Sequence, residues 1–157
     1  MLHKPKQQFI LPKTSQLLDM KYQAIIVSDL HLGIKDSKAD EFIEFLDKHP
    51  TDLLILNGDI IDGWALNRGA KWKKKHTKVI SKILKLSNKT QIIWIRGNHD
   101  EFIQEFIGTN FGQIEIKEDY VLNTKTWVED DLFRNESYYI FHGDVVDVFI
   151  TKYKWLS

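Results

Sequence analysis

Apolar runs and amphipathic segments alternate along the first part of the chain. Three runs rich in β-branched residues predict strands at 22–28, 52–57 and 91–96. Between these runs, apolar residues recur at helical spacing and predict helices over 37–49 and about 70–87. Because one helix separates each pair of strands, this order favours right-handed crossovers and a largely parallel sheet covered by helices. The chain is therefore predicted to be an α/β protein.

The first predicted helix has signals at both ends. Ser37 is a candidate N-cap, and Asp40 follows it three residues later, a spacing typical of a capping box. Pro50 comes directly after the last predicted helical residue, where proline cannot continue a helix. The helix is therefore expected to begin at Ser37 and to end at His49.

The pattern changes after about residue 107. Strands are predicted at 114–117, 120–123 and 137–141, with less helix between them. Successive strands without intervening helices are typical of sheets that contain antiparallel pairs. The later part of the chain is therefore expected to form a second, mixed sheet.

Composition restricts the classes of function. The chain has 157 residues, enough for one domain with a sizeable core. Its 22 basic and 22 acidic residues balance, so charge predicts no nucleic-acid partner. The absence of cysteine means that any metal must be held by oxygen and imidazole nitrogen. Composition gives no indication of oligomeric state.

Residues 1–21 are expected to form an N-terminal extension and residues 22–157 the domain. The extension lacks the continuous apolar stretch of a secretory signal. No run in the sequence approaches the roughly 20 apolar residues of a membrane-spanning helix. The protein is therefore expected in the cytoplasm, and peripheral contact with a membrane stays open.

Four short polar motifs follow apolar runs in a fixed order along the chain. They are Asp29-Leu30-His31, Gly58-Asp59-Ile60-Ile61-Asp62, Gly97-Asn98-His99-Asp100 and His142-Gly143-Asp144. Each motif alone is more simply explained as a turn or a cap, because Asp, Asn and Gly are common turn residues. Their joint occurrence where strands end predicts a shared site instead, since the carboxyl ends of parallel strands meet at one edge. Carboxylates, imidazoles and a carboxamide together suit two metal ions.

The ligands of such a site can be proposed from local geometry. In an extended segment residues i and i+2 point the same way, so Asp29 and His31 are predicted to grip one ion together. Asp59 follows a glycine at the end of a buried strand, where the backbone can approach closely. A carboxylate there can bridge two ions about 3.5–4 Å apart. Asn98 offers a neutral oxygen and His142 a nitrogen.

The motifs and their flanking residues resemble those of the calcineurin-like metallophosphoesterases. The resemblance rests on Ser28–Gly33, Asn57–Trp64, Arg96–Glu101 and Phe141–Asp144. Within that superfamily, these segments are similar to the enzymes grouped as UDP-2,3-diacylglucosamine diphosphatase-like, which act in lipid A synthesis. The resemblance implies a four-layer α-β-β-α sandwich that contains two divalent metal ions. Mn²⁺ is the metal expected first, and Fe²⁺, Zn²⁺, Co²⁺ and Mg²⁺ are the alternatives.

The resemblance also implies a role for each matching residue. The ligands of the first ion would be Asp29, His31 and Asp59, and those of the second would be Asp59, Asn98 and His142. His99 and Asp100 would be the catalytic residues, with His99 donating a proton to the leaving oxygen and Asp100 orienting the His99 ring. Asp62 and Asp144 would support the ligands without binding metal.

The implied reaction is attack of water on the phosphorus of a phosphoric ester or a diphosphate. The implied substrate is a phosphorylated small molecule or a nucleotide-sugar lipid, from which a nucleoside monophosphate is released. A phosphodiesterase or a protein phosphatase would use the same ions. The pathway of the resembling enzymes adds peripheral contact with the inner membrane as an expectation.

A stretch without acidic residues extends from Gly63 to His99 and is rich in lysine. The simpler explanation is a solvated helix face, and the functional one is a field that attracts a phosphorylated substrate or anionic lipid. Arg68 follows Asn67 in the loop after the second motif, and an arginine there can pair bidentately with phosphate. Asn67 and Arg68 are therefore the predicted substrate contacts.

One motif of the resembling family is missing. The family has a Gly-His-x-His segment downstream of its His-Gly-Asp motif, and this sequence contains none. His3, His49 and His76 are the unassigned histidines, and none has the spacing to replace it. Each ion would lose one ligand, and the sandwich is expected to be truncated at its C-terminus. Two hypotheses remain: a portion of a two-metal hydrolase, or an inactive fragment or metal-binding interaction module.

Overall fold

The computed structural model describes residues 21–129 and 132–146. The strands are β1 (Tyr22–Val27), β2 (Thr51–Asn57), β3 (Gln91–Ile95), β4 (Asn110–Phe111), β5 (Ile114–Lys117), β6 (Asp119–Glu129) and β7 (Leu132–Phe141). The helices are α1 (Ala39–Lys48), α2 (Gly63–Asn67) and α3 (Lys74–Leu86), and a 3₁₀ helix spans Glu101–Phe106. These elements form two sheets with helices on one side.

The first sheet has the strand order β1-β2-β3-β5-β4. Its first four strands are parallel, and β4 adds an antiparallel edge. Residues of β2 alternate between two cores, because successive side chains of a strand point to opposite faces. Leu54 and Leu56 pack toward the helices, whereas Leu53 and Ile55 pack toward the second sheet. A strand covered on both faces explains the continuous apolar run in the sequence.

The second sheet is the antiparallel pair of β6 and β7. Leu122 and Ile140 project from it into the core shared with Ile93 and Ile95 of β3. The described residues therefore supply helix, sheet and sheet in that order. This arrangement agrees with the expected α/β fold, and the expected outer helical layer lies outside the described residues. No helix in the described ranges has the length and apolar character needed to cross a membrane.

Two predictions about the elements are wrong. The segment 114–117 does not join the second sheet: β5 pairs with β3 in parallel, with Ile114 opposite Ile92. The alternation of Ile114 and Ile116 indicated a strand, but it contained no information about which strand lies beside it. The second sheet consequently contains an antiparallel pair alone within the described residues, rather than the expected mixed arrangement.

Ser37 does not cap the first helix. The helix begins at Ala39 without a side-chain cap, and Ser37 Oγ lies 3.1 Å from His76 Nε2 instead. The ring of His76 is buried and accepts a hydrogen bond at Nδ1 from the N–H of Lys73, 3.2 Å away. This contact closes the first turn of α3, which starts four residues later than the predicted 70–87 segment. Burial, followed by the charges of Lys75 and Lys73, holds the pKa of His76 below its ordinary value.

Candidate metal centre

The four motifs lie at the carboxyl ends of strands, and the first two have unusual backbone geometry. Asp29, His31 and Asp59 adopt left-handed conformations, with φ of 57°, 45° and 55°. Such values are uncommon for residues with a side chain and often mark functional loops. The expectation that Asp29 and His31 lie on an extended segment is therefore wrong. Their side chains converge because the chain turns between them.

Asp59 occupies the centre of the site. Its side chain is only 6% exposed, and Oδ1 accepts a hydrogen bond of 2.9 Å from the N–H of His99. Its other oxygen, Oδ2, lies 3.8 Å from Nε2 of His31 and 3.8 Å from Nε2 of His142. One carboxylate oxygen therefore faces two imidazole nitrogens. One belongs to His31, which follows a strand of the first sheet, and the other to His142, which follows a strand of the second.

Three other side chains converge around this oxygen, those of Asp29, His31 and His142. Asp29 Oδ1 lies 3.8 Å from His31 Nε2, and the ligand atoms of Asp29, Asp59 and His142 lie within 4.8 Å of one another. Separations of 3.8 Å are too long for hydrogen bonds but fit two ligands of one ion, since two bonds of about 2.1 Å span at most about 4.2 Å. Two carboxylates beside two imidazoles also match the preferences of borderline divalent cations. The donors present therefore fit metal ions.

Asp62 supports two imidazoles at once. Its Oδ2 lies 3.3 Å from Nδ1 of His31, and its Oδ1 lies 3.1 Å from Nδ1 of His99. Oδ1 also accepts a hydrogen bond of 2.7 Å from the N–H of Ala65, which caps α2. Burial alone would raise the pKa of the Asp62 carboxyl, but the Ala65 N–H and the two rings together lower it below its ordinary value.

A second carboxylate lies behind His142. Asp144 Oδ1 is 3.2 Å from His142 Nδ1, and Asp144 Oδ2 accepts a hydrogen bond of 3.1 Å from the Arg96 guanidinium. The sequence predicted a supporting role for Asp144, but Arg96 was named only as the first residue of the third motif segment and as one of the basic residues between Gly63 and His99, with no role of its own. Its position between the apolar β3 run and the Gly97–Asp100 motif does not indicate a partner in the second sheet.

Asp100 has a different environment from the one expected. Its fully buried carboxylate accepts hydrogen bonds from the N–H groups of Gly97 (2.7 Å), Ile60 (3.0 Å) and Asp59 (3.3 Å), and from the Trp94 indole (3.2 Å). The carboxylate of Asp100 therefore binds backbone groups and the Trp94 indole instead of the His99 ring, and the carboxylate that lies against His99 Nδ1 is that of Asp62. Asp100 instead joins the loops after β2 and β3.

The comparisons with known proteins agree with this geometry. Residues 22–157 match the calcineurin-like phosphoesterase family. The chain belongs to that family. It is 30% identical over 125 residues to a UDP-2,3-diacylglucosamine hydrolase of Shewanella pealeana, an alignment that covers 78% of this chain and 48% of the relative. The chain thus spans about half the length of that curated relative.

A solved structure is also similar. The nuclease MPE of Pseudomonas putida is 21% identical to this chain, with a TM-score of 0.39. The match covers 69% of this chain and 51% of the nuclease.

Two glycines of the phosphoesterase motifs are needed for close approach. A Cβ on Gly58, which has φ +74°, would overlap the His142 ring. A Cβ on Gly97 would overlap the side chain and the backbone nitrogen of Asp59. The sequence analysis noted the glycine before Asp59, but it could not show which side chains fill the space beside each glycine.

Of the two predicted substrate contacts, Asn67 lies beside His99 in the structure and Arg68 does not line the same cavity. Asn67 lines a cavity of about 270 Å³ beside His99, together with Trp64 and Phe102. Trp64 packs against the His99 ring with 4.3 Å between the ring centroids, a contact that sequence reasoning missed. Arg68 lies at the C-terminal end of α2 and is not among the lining residues of that cavity.

Asn98 lies in the loop between β3 and His99, partly buried, and stays a predicted ligand.

Proposed function

We propose that this chain is the metal-binding portion of a two-metal hydrolase that cleaves phosphoric esters or diphosphates by attack of water on phosphorus. The observation that carries the proposal is the position of Asp59 Oδ2, 3.8 Å from Nε2 of both His31 and His142. A carboxylate in that position suits two neighbouring cations. Membership of the calcineurin-like phosphoesterase family supports the same reaction class.

The ligands of the proposed centre are Asp29, His31, Asp59, Asn98 and His142. Mn²⁺ is the proposed metal, because the site mixes hard oxygen donors with imidazole, and Fe²⁺, Zn²⁺, Co²⁺ and Mg²⁺ are alternatives. Bound divalent ions lower the pKa of water toward about 7 and neutralise charge on phosphoryl oxygens.

His99 is the proposed general acid. Its Nδ1 faces Asp62 at 3.1 Å, which leaves Nε2 as the nitrogen able to reach a leaving oxygen. Trp64 packs on one face of the ring and restricts its rotation. In this proposal Asp62 orients His99, and Asn67 contacts the substrate beside it.

The proposed substrate is a nucleotide-sugar lipid such as UDP-2,3-diacylglucosamine, cleaved at its diphosphate. The Shewanella pealeana relative, a UDP-2,3-diacylglucosamine hydrolase, supports this choice. The proposal places the protein in lipid A synthesis, in the cytoplasm, with peripheral contact with the inner membrane. A phosphodiesterase acting on other small molecules and a protein phosphatase are the alternatives within the family.

The reaction class can be tested with a chromogenic phosphodiester. The purified chain is incubated with excess Mn²⁺ and bis(p-nitrophenyl) phosphate, alone and as Asp59→Asn. The matched control is Asp52→Asn, because Asp52 lies on β2, the strand that precedes Asp59, and is exposed beside Lys21. We expect Mn²⁺-dependent turnover in the chain and the control, and its loss in Asp59→Asn.

The opposite result favours the second hypothesis. If folded chain shows no turnover with Mn²⁺, Co²⁺, Mg²⁺ or Zn²⁺, this chain is not an enzyme by itself. That outcome would leave an inactive fragment or a metal-binding interaction module. Where turnover is present, cleavage of UDP-2,3-diacylglucosamine faster than of a phosphopeptide supports the proposed substrate, and the reverse order overturns it.

A further inference from the structure

His142 reaches the candidate site by a different route from Asp29, His31 and Asp59. Those three residues follow strands of the first sheet, whereas His142 follows β7 of the second sheet. Its position relative to Asp59 therefore depends on contacts between the sheets. The cores of the two sheets meet through aliphatic packing, which fixes their separation but is non-directional. Directional contacts, such as hydrogen bonds, are needed to orient the His142 ring toward Asp59.

Two polar contacts join the sheets next to His142. The Asn57 amide donates a hydrogen bond of 3.2 Å to the carbonyl of Phe141. The Arg96 guanidinium donates one of 3.1 Å to Asp144, and the two side chains are 16% and 14% exposed. The first contact holds the backbone just before His142. The second connects the end of β3 to the carboxylate that faces the His142 ring.

The far side of the His142 ring has one polar neighbour. Nδ1 of His142 and Oδ1 of Asp144 are 3.2 Å apart and both are buried, and neither atom has a well-aligned hydrogen-bond partner among the described residues, so each is the polar atom available to the other. A carboxylate in that position favours the tautomer that carries its proton on Nδ1. That tautomer leaves Nε2, which faces Asp59, with a free lone pair.

We propose that Arg96 is a positioning residue for His142. Its guanidinium holds the Asp144 carboxylate against Nδ1, so that the ring keeps its proton on Nδ1 and presents a bare Nε2 toward Asp59. Without Arg96, the carboxylate is free to turn toward solvent and Nδ1 loses its acceptor. The consequence for metal affinity rests on the proposed function, whereas the tautomer is a property of the metal-free chain.

The tautomer can be measured without metal. Long-range ¹H–¹⁵N correlation spectra of the full chain with ¹⁵N-labelled histidine, recorded with chelator at pH 8, distinguish the two neutral forms of His142. We expect the Nδ1–H form in the native sequence and a mixture with the Nε2–H form in Arg96→Ala. Arg134→Ala is the matched control, because Arg134 lies on β7 and is 66% exposed.

Conservative and partner variants complete the measurement. Arg96→Lys retains the positive charge and is expected to keep most of the Nδ1–H form, whereas Asp144→Ala is expected to reproduce the mixture. If Arg96→Ala does not fold, judged by its amide spectrum, the His142 tautomer is compared between Arg96→Lys and Asp144→Ala instead. That comparison still tests whether Arg96 acts on the ring through Asp144. The proposal is overturned if His142 carries its proton on Nε2 in the native sequence, or if neither Asp144→Ala nor a folded Arg96→Ala changes the tautomer.

Calorimetric titration with Mn²⁺ tests the consequence. Loss of a contact behind a metal-binding histidine is expected to weaken affinity by about 10–100-fold, so Arg96→Ala should show that loss and Arg134→Ala none. Unchanged affinity in Arg96→Ala contradicts the proposal. If the native sequence binds no Mn²⁺, the proposed function fails, and the tautomer measurement still decides the role of Arg96.

Discussion

Two carboxylates lie against imidazoles in this site, and they are held there in different ways. Asp62 contacts the rings of His31 and His99 from the loop that leads into α2, and it is itself fixed by the N–H of Ala65. Asp144 contacts the single ring of His142, and its other oxygen is held by a side chain from the opposite sheet. The contacts of Asp62 therefore stay within the loops of the first sheet, whereas those of Asp144 connect the second sheet to the first.

The difference shows how each part of the site is kept in place. In the first sheet, short loops with left-handed residues and a buried Asp100 carboxylate fix the candidate ligands through the backbone. In the second sheet, His142 follows a long hairpin strand, and its placement depends on contacts that side chains make across the interface. Variants that weaken one support and leave the other intact can therefore separate the two.

The largest effect is expected from removing the carboxylate that joins the loops of the first sheet. Asp100→Ala leaves the buried N–H groups of Gly97, Ile60 and Asp59 and the Trp94 indole without their acceptor. Because each buried donor left without an acceptor costs about 1–3 kcal/mol, we expect the free energy of unfolding to fall by at least about 3 kcal/mol, measured by chemical denaturation without metal. Asp36→Ala is an exposed control and should change it by less than about 0.5 kcal/mol. A small loss in Asp100→Ala would show that the loops hold their shape without this carboxylate.

A smaller effect is expected where a methyl group is added between the loops. In Gly97→Ala the new Cβ meets Asp59, so the loop must shift at a cost of about 1–3 kcal/mol in unfolding free energy. Gly143→Ala, beside His142, is the matched control because open space surrounds its Cβ position. Equal stability of the two variants, by the same denaturation method, would contradict the close contact of the loops after β2 and β3.

Asp62→Asn tests the local support directly. The neutral amide keeps the size of the side chain but loses the charge that faces both imidazoles. We expect Mn²⁺ affinity to fall by about 10–100-fold in calorimetric titration, with little change in the unfolding free energy of the metal-free chain. Asp52→Asn provides the exposed control. Native affinity in Asp62→Asn would mean that His31 is held without this carboxylate.

The smallest effect concerns a buried histidine outside the site. His76 has a lowered pKa in the folded chain, so below its unfolded pKa of about 6.5 the unfolded state binds the proton more readily. Stability should therefore be unaffected by His76 above that pH and should fall as the pH drops below it. His76→Asn, whose amide oxygen can still accept from Lys73, should reduce this fall between pH 7.5 and 5.5. An unchanged pH dependence would contradict the neutral state assigned to the ring.

The motif-bearing edge of the first sheet could be predicted well from sequence. The apolar runs that became β1, β2 and β3 are buried on two faces, which makes them continuous and easy to recognise. Asp29 and Asp59 converge as the motif order indicated, because parallel strands deliver their carboxyl ends to one edge, and His142 joins them from the end of β7 in the second sheet. The family assignment followed from the same residues.

Long-range partners could not be predicted in the same way. Asp100 was placed beside His99 because the two are adjacent in sequence, yet its carboxylate binds backbone groups of another loop. Ser37 has the spacing of a helix cap but contacts His76 across the fold. Arg96 belongs to no periodic pattern, and its partner lies 48 residues away in the other sheet. Local sequence rules contain no information about such pairs.

The most direct test of the account is to locate Mn²⁺ in crystals of the chain by anomalous diffraction. We expect anomalous density within about 2.0–2.5 Å of Asp59 Oδ2, between that oxygen and Nε2 of His31 or His142. The same crystals of Asp59→Asn should lack the density. Mn²⁺ bound only elsewhere, or no density in fully folded native chain at saturating Mn²⁺, would contradict the claim that this edge of the two sheets is a metal centre.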